Sequence, residues 1–571
     1  MTTVNRVSSP GRYEGYSAQL YDTWVRTSFY VTVRDGTRLA VDLYRPAAGG
    51  EVSDTPHPAI WIHTPYQRGV LDEDGNVQCT GSLYMELRDL TLYGYVLAIV
   101  DTRGKGASFG HRRGMQDRTE ARDAYDMTEW LAAQPWCDGS VGMVGCSYLG
   151  GSQDNAATLT PPSLKAIFPG ATCFNRYDFV CRGGLTAQYH TRPEDPRDQG
   201  VDSMPVDEDP DGSMLAAARR EHERNSTMAD IWSDIPFRDD RSEALGSRFW
   251  EETSLSTFRN AVEMDGPVMY RWTGWHDELS ADQFVAAANL SNVVKVLMGP
   301  ETHCRSDCFD MFAEHLRFFD RYLKGVENGI DGEDRFHYYT YNAPDGSRWS
   351  SAPRWPVPGM EYQRWYLDAG DRRDGGPTLR RTRPRREAGI DFAVDYSVIT
   401  GEPVTPFWPS SQHGHGVSFD TGALAEELRL TGHFVVSLWL SSTCVDGDTF
   451  AYLEELAPDG SCEVRAHGRL RSSHRRLGTA PYDYLGLPYH RSFREDALPL
   501  VPGEPAEHVF DLLPTSTVVR PGCRLRLVVT GADPRQRSHL GFDPPPLVTV
   551  HTGPGMASYI DLPVVTEAGR G

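Results

Sequence analysis

Long hydrophobic runs are absent from this sequence: no apolar stretch approaches the roughly 20 residues that are needed to cross a bilayer. The first residues, MTTVNRVSSPGRY, also lack a basic segment followed by an apolar core, which is the pattern of a secretory signal. Hydrophobic residues make up 39% of the chain and charged residues 24%, a balance typical of globular proteins. We therefore expect a soluble, cytoplasmic protein that does not bind membranes.

Positive charge is scarce as well. Lysine and arginine together number 57 against 79 aspartates and glutamates, which gives a formal net charge of −22. An acidic surface repels phosphate backbones, and this argues against nucleic-acid binding and favours a small-molecule partner. Lysine occurs only at positions 105, 165, 295 and 324, a bias that we attribute to a GC-rich genome and not to a substrate.

Cysteine is sparse for a chain of this length. The ten cysteines are scattered over 571 residues and do not form the dense framework of a small disulfide-rich domain, so we expect reduced thiols. His303, Cys304 and Cys308 have metal-like spacing, but a structural zinc needs a further pair of ligands and none follows. We therefore expect no metal here.

Short apolar segments alternate with helix-like segments in the first part of the chain. Two alternating runs flank Asp35-Gly36, which predicts a hairpin. Helix-like stretches such as residues 118–134 separate the later apolar segments, and this pattern indicates a parallel sheet buried between helices. The segments lie at 59–64, 95–101, 141–145, 164–170, 267–274 and 294–300.

Two later changes of pattern indicate further parts of an α/β protein. Residues 175–263 are polar and lack apolar strand runs, which predicts a helical insertion. From residue 359 many short strands are separated by turn residues, which is typical of an all-β sandwich. We predict an α/β domain formed by residues 1–174 and 264–358, a helical cap at 175–263 and an all-β domain at 359–571. The arginine-rich segment 372–389 is expected to be a solvated linking loop.

Reactive side chains follow three of the predicted strands: Ser147, Asp277 and His303. In open α/β sheets the functional crevice lies beyond the carboxyl ends of the strands, and the chain order serine, acid, histidine is that of α/β-hydrolases. A hydroxyl is a poor nucleophile unless an imidazole removes its proton, and a carboxylate orients that imidazole. We therefore predict that Ser147 is the nucleophile, His303 the base and Asp277 its partner.

The turn around Ser147 departs from the usual glycine pattern. Leu149 stands where the general nucleophile turn has glycine two residues after the serine, although Gly145 and Gly150 flank the site. Taken alone, this spacing also fits an ordinary strand-to-helix turn. If the turn is catalytic, the backbone N–H of Tyr148 faces a developing oxyanion at the start of a helix.

Several motifs together resemble one family. DTRGKGASFG (101–110), GCSYLGG (145–151), GWHDE (274–278) and GPETH (299–303) resemble the cocaine esterase and α-amino-acid ester hydrolase family, which is related to X-Pro dipeptidyl peptidases. The resemblance spans nearly the whole chain. It implies an α/β-hydrolase domain with an inserted helical cap and a C-terminal all-β jelly-roll domain, the triad predicted above, and a homodimer.

The resemblance also implies an oxyanion hole. The tyrosine of this hole falls on Tyr66 in HTPYQRG, and its O–H would donate to the oxyanion beside the N–H of Tyr148. Without the other motifs, Tyr66 reads equally well as an aromatic packed at a strand end. Asp101 and Arg103 are expected to form a buried ion pair that braces the floor of the site.

Departures from the family put its usual apolar acyl pocket in question. Glu301 replaces an aromatic before the triad histidine, and Glu278 and Leu279 stand where an aromatic follows the triad aspartate. These residues and His276 are candidate substrate-pocket residues. The alternatives without a functional role are that Glu301 faces solvent and that His276 is packed in the structure.

The acidic segment 207–212 resembles the opening of a calcium loop. Ala218 stands where that loop needs a bidentate glutamate, so a solvated loop is expected. A functional alternative is that the loop attracts a cationic substrate.

Together these features predict a serine hydrolase that cleaves an ester or amide of a small molecule through an acyl-enzyme, without metal or organic cofactor. Alternatives are an acyltransferase or cyclase that uses the same acyl-enzyme, and an X-Pro-type dipeptidyl peptidase in which Glu301 or segment 207–212 binds the substrate amine. A remote alternative is an inactive carbohydrate-binding protein, which the filled triad positions disfavour.

Overall fold

The computed structural model describes residues 6–71, 73, 77–79, 87–186, 203–370, 376–399, 408–536 and 539–566. Within these ranges the chain forms two large sheets of eleven strands each, one in the N-terminal part and one in the C-terminal part. No helix in the same ranges is both long enough and apolar enough to span a membrane. Residues 187–202 of the predicted cap and 372–375 of the predicted linking loop lie outside the described residues.

The N-terminal sheet is parallel at its centre. The strands from Phe336–Tyr339 to Val96–Asp101 run parallel, and antiparallel strands complete both edges. This confirms the predicted parallel sheet, and the Asp35-Gly36 hairpin joins its last two strands. In spatial order the strands are Trp349–Ala352, Phe336–Tyr339, Val293–Thr302, Val268–His276, Leu164–Gly170, Cys137–Cys146, His57–Thr64, Val96–Asp101, Arg38–Ala48 and Thr23–Thr32, with Glu51–Val52 paired to Arg38–Ala48.

Side chains alternate between the two faces of the sheet along each strand. Both faces are apolar, and helices pack against them. Trp61 belongs to the hydrophobic cluster on one face, and its neighbours Ile60 and Ile62 belong to the cluster on the other. The helix that follows Asp117 begins there because the Asp117 carboxylate accepts the N–H groups of Thr119 and Glu120. The helices between the parallel strands are Arg118–Ala132, Tyr148–Ala157, Ser280–Asn289 and Met311–Lys324.

In the described residues between strands Leu164–Gly170 and Val268–His276, the regular elements are short helices and 3-10 turns joined by loops, with one isolated bridge. In the acidic segment 207–212, the Asp209 carboxylate accepts the N–H groups of Met214 and Leu215, so this residue caps a helix. The helices are Arg176–Val180, Ser213–His222, Met228–Asp234, Phe249–Glu252 and Arg259–Asp265, with 3-10 turns at Arg182–Gly184 and Leu255–Phe258.

The C-terminal part is rich in β-strands, as predicted, and nearly all of its strand pairs are antiparallel. The expectation of a linking loop at 372–389 was wrong in part, because Thr378–Arg380 is a strand of this sheet and Ala388 begins another. In spatial order the strands are Ala388–Ala393, Leu547–Thr552, Leu428–Ser442, Tyr559–Val565, Met360–Asp368, Thr378–Arg380, Gly416–Asp420, Arg524–Thr530, Asp448–Leu456 and Cys462–Arg471, with Ala506–Val519 paired to Leu428–Ser442.

Smaller elements complete the fold. Two-stranded sheets pair Val7–Ser9 with Arg12–Glu14 and Gly69–Leu71 with Val77–Cys79. Further 3-10 turns lie at Leu87–Tyr93, Ile330–Gly332, Tyr396–Val398, Ser472–His474 and Arg494–Asp496.

The two large sheets are packed together through a buried apolar cluster. Leu185 and Ala281 come from the N-terminal part and contact aromatic and aliphatic side chains of the C-terminal part, among them Trp408 and Phe450. Removal of such surface from water stabilises the contact by about 25 cal/mol per Å². The junction lies beside Asp277, and the C-terminal part therefore borders the candidate site.

Candidate active site

Asp277 and His303 follow neighbouring parallel strands and meet at the same edge of the sheet. The strands are in register so that His276 lies opposite Thr302, which places the next residue of each strand side by side. The Nδ1 atom of His303 lies 2.9 Å from Oδ2 of Asp277. A carboxylate oxygen accepts hydrogen bonds, so Nδ1 is the donor in this contact and Nε2 is the ring nitrogen that can act as a base.

The Asp277 carboxylate is buried and held in one orientation. It is 0% exposed. The hydroxyl of Thr273 donates to Oδ2 at 2.6 Å, and the backbone N–H of Leu279 donates to Oδ1 at 3.1 Å. A carboxylate held in this way can orient an imidazole and stabilise its protonated form.

Ser147 occupies a sharp turn between a strand and a helix. Its φ of 62° and ψ of −124° are rare for a residue with a side chain, and such conformations cluster at functional sites. The turn is secured by its backbone N–H, which donates to the carbonyl oxygen of Gly170 on the next strand at 2.9 Å. Ser147 is also the residue from which helix Tyr148–Ala157 begins.

The structure explains why the glycines around Ser147 are shifted from the usual pattern. A Cβ atom at Gly145 would lie 2.5 Å from Cβ of Leu149, and one at Gly150 would lie 2.4 Å from the carbonyl oxygen of Gly170. Both positions therefore require glycine. Leu149 is tolerated because Gly145 leaves space for its side chain.

A disulfide joins the two turns that carry the predicted nucleophile and base. Cys146, which precedes Ser147, is bonded to Cys304, which follows His303, with 5.8 Å between their Cα atoms. The expectation of reduced thiols was therefore wrong for these two cysteines, and Cys304 is not available as a metal ligand beside Cys308. The bond holds the serine turn against the histidine turn.

Tyr148 is anchored through both its side chain and its backbone carbonyl. Its phenolic O–H donates to the buried carboxyl of Glu120, and its carbonyl oxygen accepts from Nε2 of Gln116 at 2.6 Å. Burial, with a smaller contribution from Asp117, raises the pKa of Glu120 to about 7. These contacts orient the backbone N–H that follows Ser147.

Tyr66 lies beside Tyr148. The two ring centroids are 6.4 Å apart at an interplanar angle of 70°, and Tyr66 is half-buried. Its backbone N–H donates to the hydroxyl of Thr64 at the end of strand His57–Thr64. The Tyr66 ring therefore lies at the carboxyl edge of the sheet, next to the residue that follows Ser147.

The floor below Tyr66 is braced by a buried ion cluster that differs from the predicted one. Asp101 pairs with Arg68 at 3.1 Å, and Arg68 also binds Asp42 at 2.7 Å. Arg103 instead pairs with Asp123 at 2.6 Å. The predicted Asp101–Arg103 pair was wrong, because side chains two residues apart beyond the strand end turn to different partners.

Some of the contacts in this site have a signal in the sequence, and others have none. The disulfide was not predicted, although Cys146 and Cys304 each adjoin a predicted triad residue and this adjacency is a signal for it. Glu120 and Gln116 carry no comparable signal, since their contact with Tyr148 depends on how helix Arg118–Ala132 packs.

Comparison with known proteins places these residues in a family. The model of the X-Pro dipeptidyl-peptidase (S15 family) matches residues 35–305, and that of the X-Pro dipeptidyl-peptidase C-terminal non-catalytic domain matches residues 328–555. A predicted serine esterase of Mycobacterium tuberculosis is 32% identical over 94% of this chain and 95% of its own. This chain belongs to the CocE/NonD family of serine hydrolases. Cocaine esterase of Rhodococcus is 26% identical over 95% of this chain and 98% of its own.

Solved structures share this fold. A CocE/NonD family hydrolase from Staphylococcus aureus has a TM-score of 0.75 at 21% identity, covering 95% of this chain and 94% of that one. An α-amino acid ester hydrolase has a TM-score of 0.67 at 18% identity, covering 96% and 98%. The predicted α/β-hydrolase domain with a β-rich C-terminal domain is confirmed.

In this CocE/NonD hydrolase, His276 is packed between aromatic rings. Its ring stacks on Tyr341 and Trp408 at centroid distances of 5.1 and 4.7 Å. Burial lowers the pKa of His276 to about 4, so the imidazole is neutral near pH 7. His276 therefore lies in an aromatic stack at the boundary with the C-terminal domain.

Glu278 points away from Asp277 into an ion cluster between the two domains. It is 2% exposed, and Arg469 and Arg535 donate to it at 3.1 and 3.0 Å. Burial alone would raise the pKa of Glu278, but Arg469, His467 and Arg535 together lower it well below its usual value. The carboxylate is thus ionised and already paired.

Leu279 and Glu301 both brace the site. Leu279 is 3% exposed and shares a buried cluster with Tyr148, while its N–H holds Asp277. Oε1 of Glu301 accepts the backbone N–H of Cys308 at 2.9 Å, which closes the turn that carries His303. Of the pocket candidates, Glu278 and Glu301 are therefore engaged by the protein itself.

Proposed function

We propose that this serine hydrolase cleaves the ester bond of a small molecule through a covalent acyl-enzyme, with Ser147 as the nucleophile. The observation that carries the proposal is the hydrogen bond between His303 and the buried Asp277, on a turn that a disulfide ties to the Ser147 turn. The basic Nε2 of His303 removes the proton of Ser147 as its oxygen attacks the carbonyl carbon.

The oxyanion that forms is stabilised by two donors, the N–H of Tyr148 and the O–H of Tyr66. His303 then gives its proton to the leaving alcohol, and the acyl group remains on Ser147. A water molecule, deprotonated by the same histidine, attacks the acyl-enzyme through a second oxyanion and releases the acid. The chemistry uses only side chains and backbone groups, so it requires neither metal nor organic cofactor.

Esters are favoured over peptides as substrates for two reasons. The relatives named as esterases are 32% and 26% identical, whereas the relatives named as Xaa-Pro dipeptidyl-peptidases are 24% identical or less. A dipeptidyl peptidase also needs a carboxylate that is free to bind the substrate amine. Glu278 is bound by Arg469 and Arg535, and Glu301 is bound by the N–H of Cys308.

A panel of chromogenic substrates tests the proposal: short-acyl, benzoyl and aminoacyl esters and an X-Pro anilide. We expect turnover of a neutral ester by the wild type and loss of turnover in Ser147→Ala. The matched control is Ser152→Ala, a buried serine on the same helix, which we expect to keep activity. Full activity in Ser147→Ala would overturn the assignment, and preference for the X-Pro anilide would favour a peptidase.

Covalent capture tests the acyl-enzyme itself. A fluorophosphonate is expected to add one phosphonyl group to the wild type, located on Ser147 by peptide mass spectrometry, and to leave Ser147→Ala unmodified. Addition of a primary amine or alcohol during turnover distinguishes hydrolysis from acyl transfer. An acyl amide or a new ester as the main product would identify an acyltransferase.

A further inference from the structure

We propose that the Cys146–Cys304 disulfide is a positioning element of the triad, and that its reduction slows acylation by releasing the histidine turn from the serine turn. The inference rests on the proposed roles of Ser147 and His303. Cys146 and Cys304 do not contact the substrate in this proposal and act through the neighbouring Ser147 and His303.

The sheet alone leaves Ser147 and His303 far apart. Strands Cys137–Cys146 and Val293–Thr302 are separated by two intervening strands. Neighbouring strands lie about 4.8 Å apart, so these two strands are separated by roughly 14 Å. The Cα atoms of Cys146 and Cys304 are nevertheless only 5.8 Å apart. The histidine turn therefore crosses the edge of the sheet to reach the serine, and the disulfide fixes it there.

Three hydrogen bonds of the histidine turn hold it to its own side of the sheet. His303 binds Asp277, which follows the neighbouring strand, and Glu301 accepts the N–H of Cys308. The N–H of Arg305 donates to the carbonyl of Thr302 at 3.2 Å. The disulfide is the covalent link from this turn to the strand that carries Ser147.

Cys304, at one end of the link, and Ser147, next to the other end, have backbone conformations that are unfavourable without support. Cys304 has a φ of 58° and Ser147 a φ of 62°, in the left-handed region that residues with a Cβ atom rarely adopt. Such conformations persist only when the surrounding structure enforces them. Opening the disulfide removes the covalent part of that support next to both reacting groups, while the hydrogen bond from the N–H of Ser147 to Gly170 remains.

Small displacements here have large effects on rate. Proton transfer from Ser147 to His303 requires a separation of about 2.6–3.2 Å, and a misplacement of about 1 Å costs on the order of 100-fold. We expect reduction to lower kcat by about 10- to 100-fold and to change KM little, because no residue of the link lies in the substrate contacts proposed above.

The chemistry of reduction balances with a dithiol such as dithiothreitol. Its thiolate attacks Sγ of Cys304, which is half-buried, and displaces the thiolate of Cys146, which is 5% exposed. The second thiol of the reagent then displaces Cys304 and closes a cyclic disulfide. Two electrons and two protons pass from reagent to protein, so the enzyme gains two thiols.

The test compares wild type, Cys146→Ala, Cys304→Ala and the double variant, each with and without dithiothreitol. We expect each single variant to lose as much kcat as the double variant, because the link is lost once. Reduced wild type should match them, and oxidised dithiothreitol should restore it. The control is Cys308→Ala, an exposed free cysteine in the same loop, which should behave as wild type in both conditions.

Two further measurements make the outcome decisive. Alkylation followed by intact-mass measurement should add two more groups to reduced than to oxidised wild type, and circular dichroism should show that reduced protein remains folded. If the cysteine variants do not fold, reduction of wild type alone decides. Unchanged kcat after proven reduction, or free thiols at both positions before it, overturns the inference. Loss of activity in Ser147→Ala with no response to reduction would leave the proposed function standing.

Discussion

Tyr148 donates its phenolic hydrogen to the buried carboxyl of Glu120, at 2.6 Å from Oε1 and 2.8 Å from Oε2. The backbone N–H of the same tyrosine follows Ser147 and is a proposed oxyanion donor. Helix Arg118–Ala132, which carries Glu120, thus sets the orientation of a group on a different helix. Burial of that carboxyl makes the contact depend on pH.

The stability contributed by Glu120 should fall as pH rises through neutrality. Its pKa is raised from 4.5 to about 7 in the fold, so its contribution is full below about pH 4.5 and is lost above about pH 7. Replacement by glutamine removes this dependence. Between pH 4.5 and 8, urea unfolding should show that wild type loses about 3 kcal/mol relative to Glu120→Gln.

The control for the Glu120 experiment is Glu361→Gln, which removes an exposed carboxylate and makes the same change in net charge. Its stability relative to wild type should stay level over the same pH range. A level difference for Glu120→Gln as well would show that Glu120 is ionised in the fold across this range.

Tyr66→Phe should lower kcat by about 10²- to 10³-fold, since one donor to the oxyanion is removed while the ring and its contact with Tyr148 remain. KM should change little, because the donor acts mainly on the transition state. Steady-state kinetics on the best ester measures this effect, with Tyr362→Phe, an exposed tyrosine, as the control. A rise in KM at constant kcat would instead assign Tyr66 to substrate binding.

Asp277→Asn should lower kcat by about 10⁴-fold without unfolding the protein. The amide keeps the shape of the side chain, but only its oxygen accepts hydrogen bonds and its NH2 group donates. An NH2 group facing Nδ1 favours the wrong tautomer of the ring. Kinetics and thermal unfolding measured together separate this effect from instability. Asp307→Asn, an exposed aspartate of the nearby loop, should leave kcat at the wild-type value; equal losses in both variants would contradict the assigned role.

Glu278→Gln should destabilise the protein by about 3 kcal/mol or more, because buried Arg469 loses its carboxylate and buried Arg535 keeps only Asp533. Urea midpoints from tryptophan fluorescence measure this loss, and kcat and KM of the folded enzyme should stay unchanged. The control is Glu463→Gln at an exposed position of a nearby strand. A selective rise in KM for aminoacyl esters would show that Glu278 binds substrate.

The parallel sheet and the contact between Asp277 and His303 could be predicted because both depend on local pattern. Strands that are apolar on both faces indicate a sheet between helices, and parallel strands bring their carboxyl ends to one edge. Asp277 and His303 follow neighbouring strands, so their contact required no knowledge of loop conformation, whereas the approach of the histidine turn to Ser147 depends on how that turn crosses the edge of the sheet.

The segment 372–389 shows one limit of such patterns. Its arginines and threonines indicated a loop, yet Thr378–Arg380 joins the C-terminal sheet. Thr378 and Arg380 are exposed while Leu379 between them is buried, so a short strand with one apolar residue suffices. Composition alone does not distinguish a short strand of this kind from a loop.

The sequence by itself determined the order of the N-terminal strands along the chain, the residues at their ends and the turn glycines, since each follows from spacing along the chain. Only the tertiary structure decided that Asp101 pairs with Arg68, that Glu278 is bound by Arg469 and that Cys146 reaches Cys304. These contacts join residues as much as 191 positions apart, and their partners are set by how loops cross the edge of the sheet and how the two domains pack. Side-chain direction at such crossings is a property of the folded chain, which no local pattern encodes.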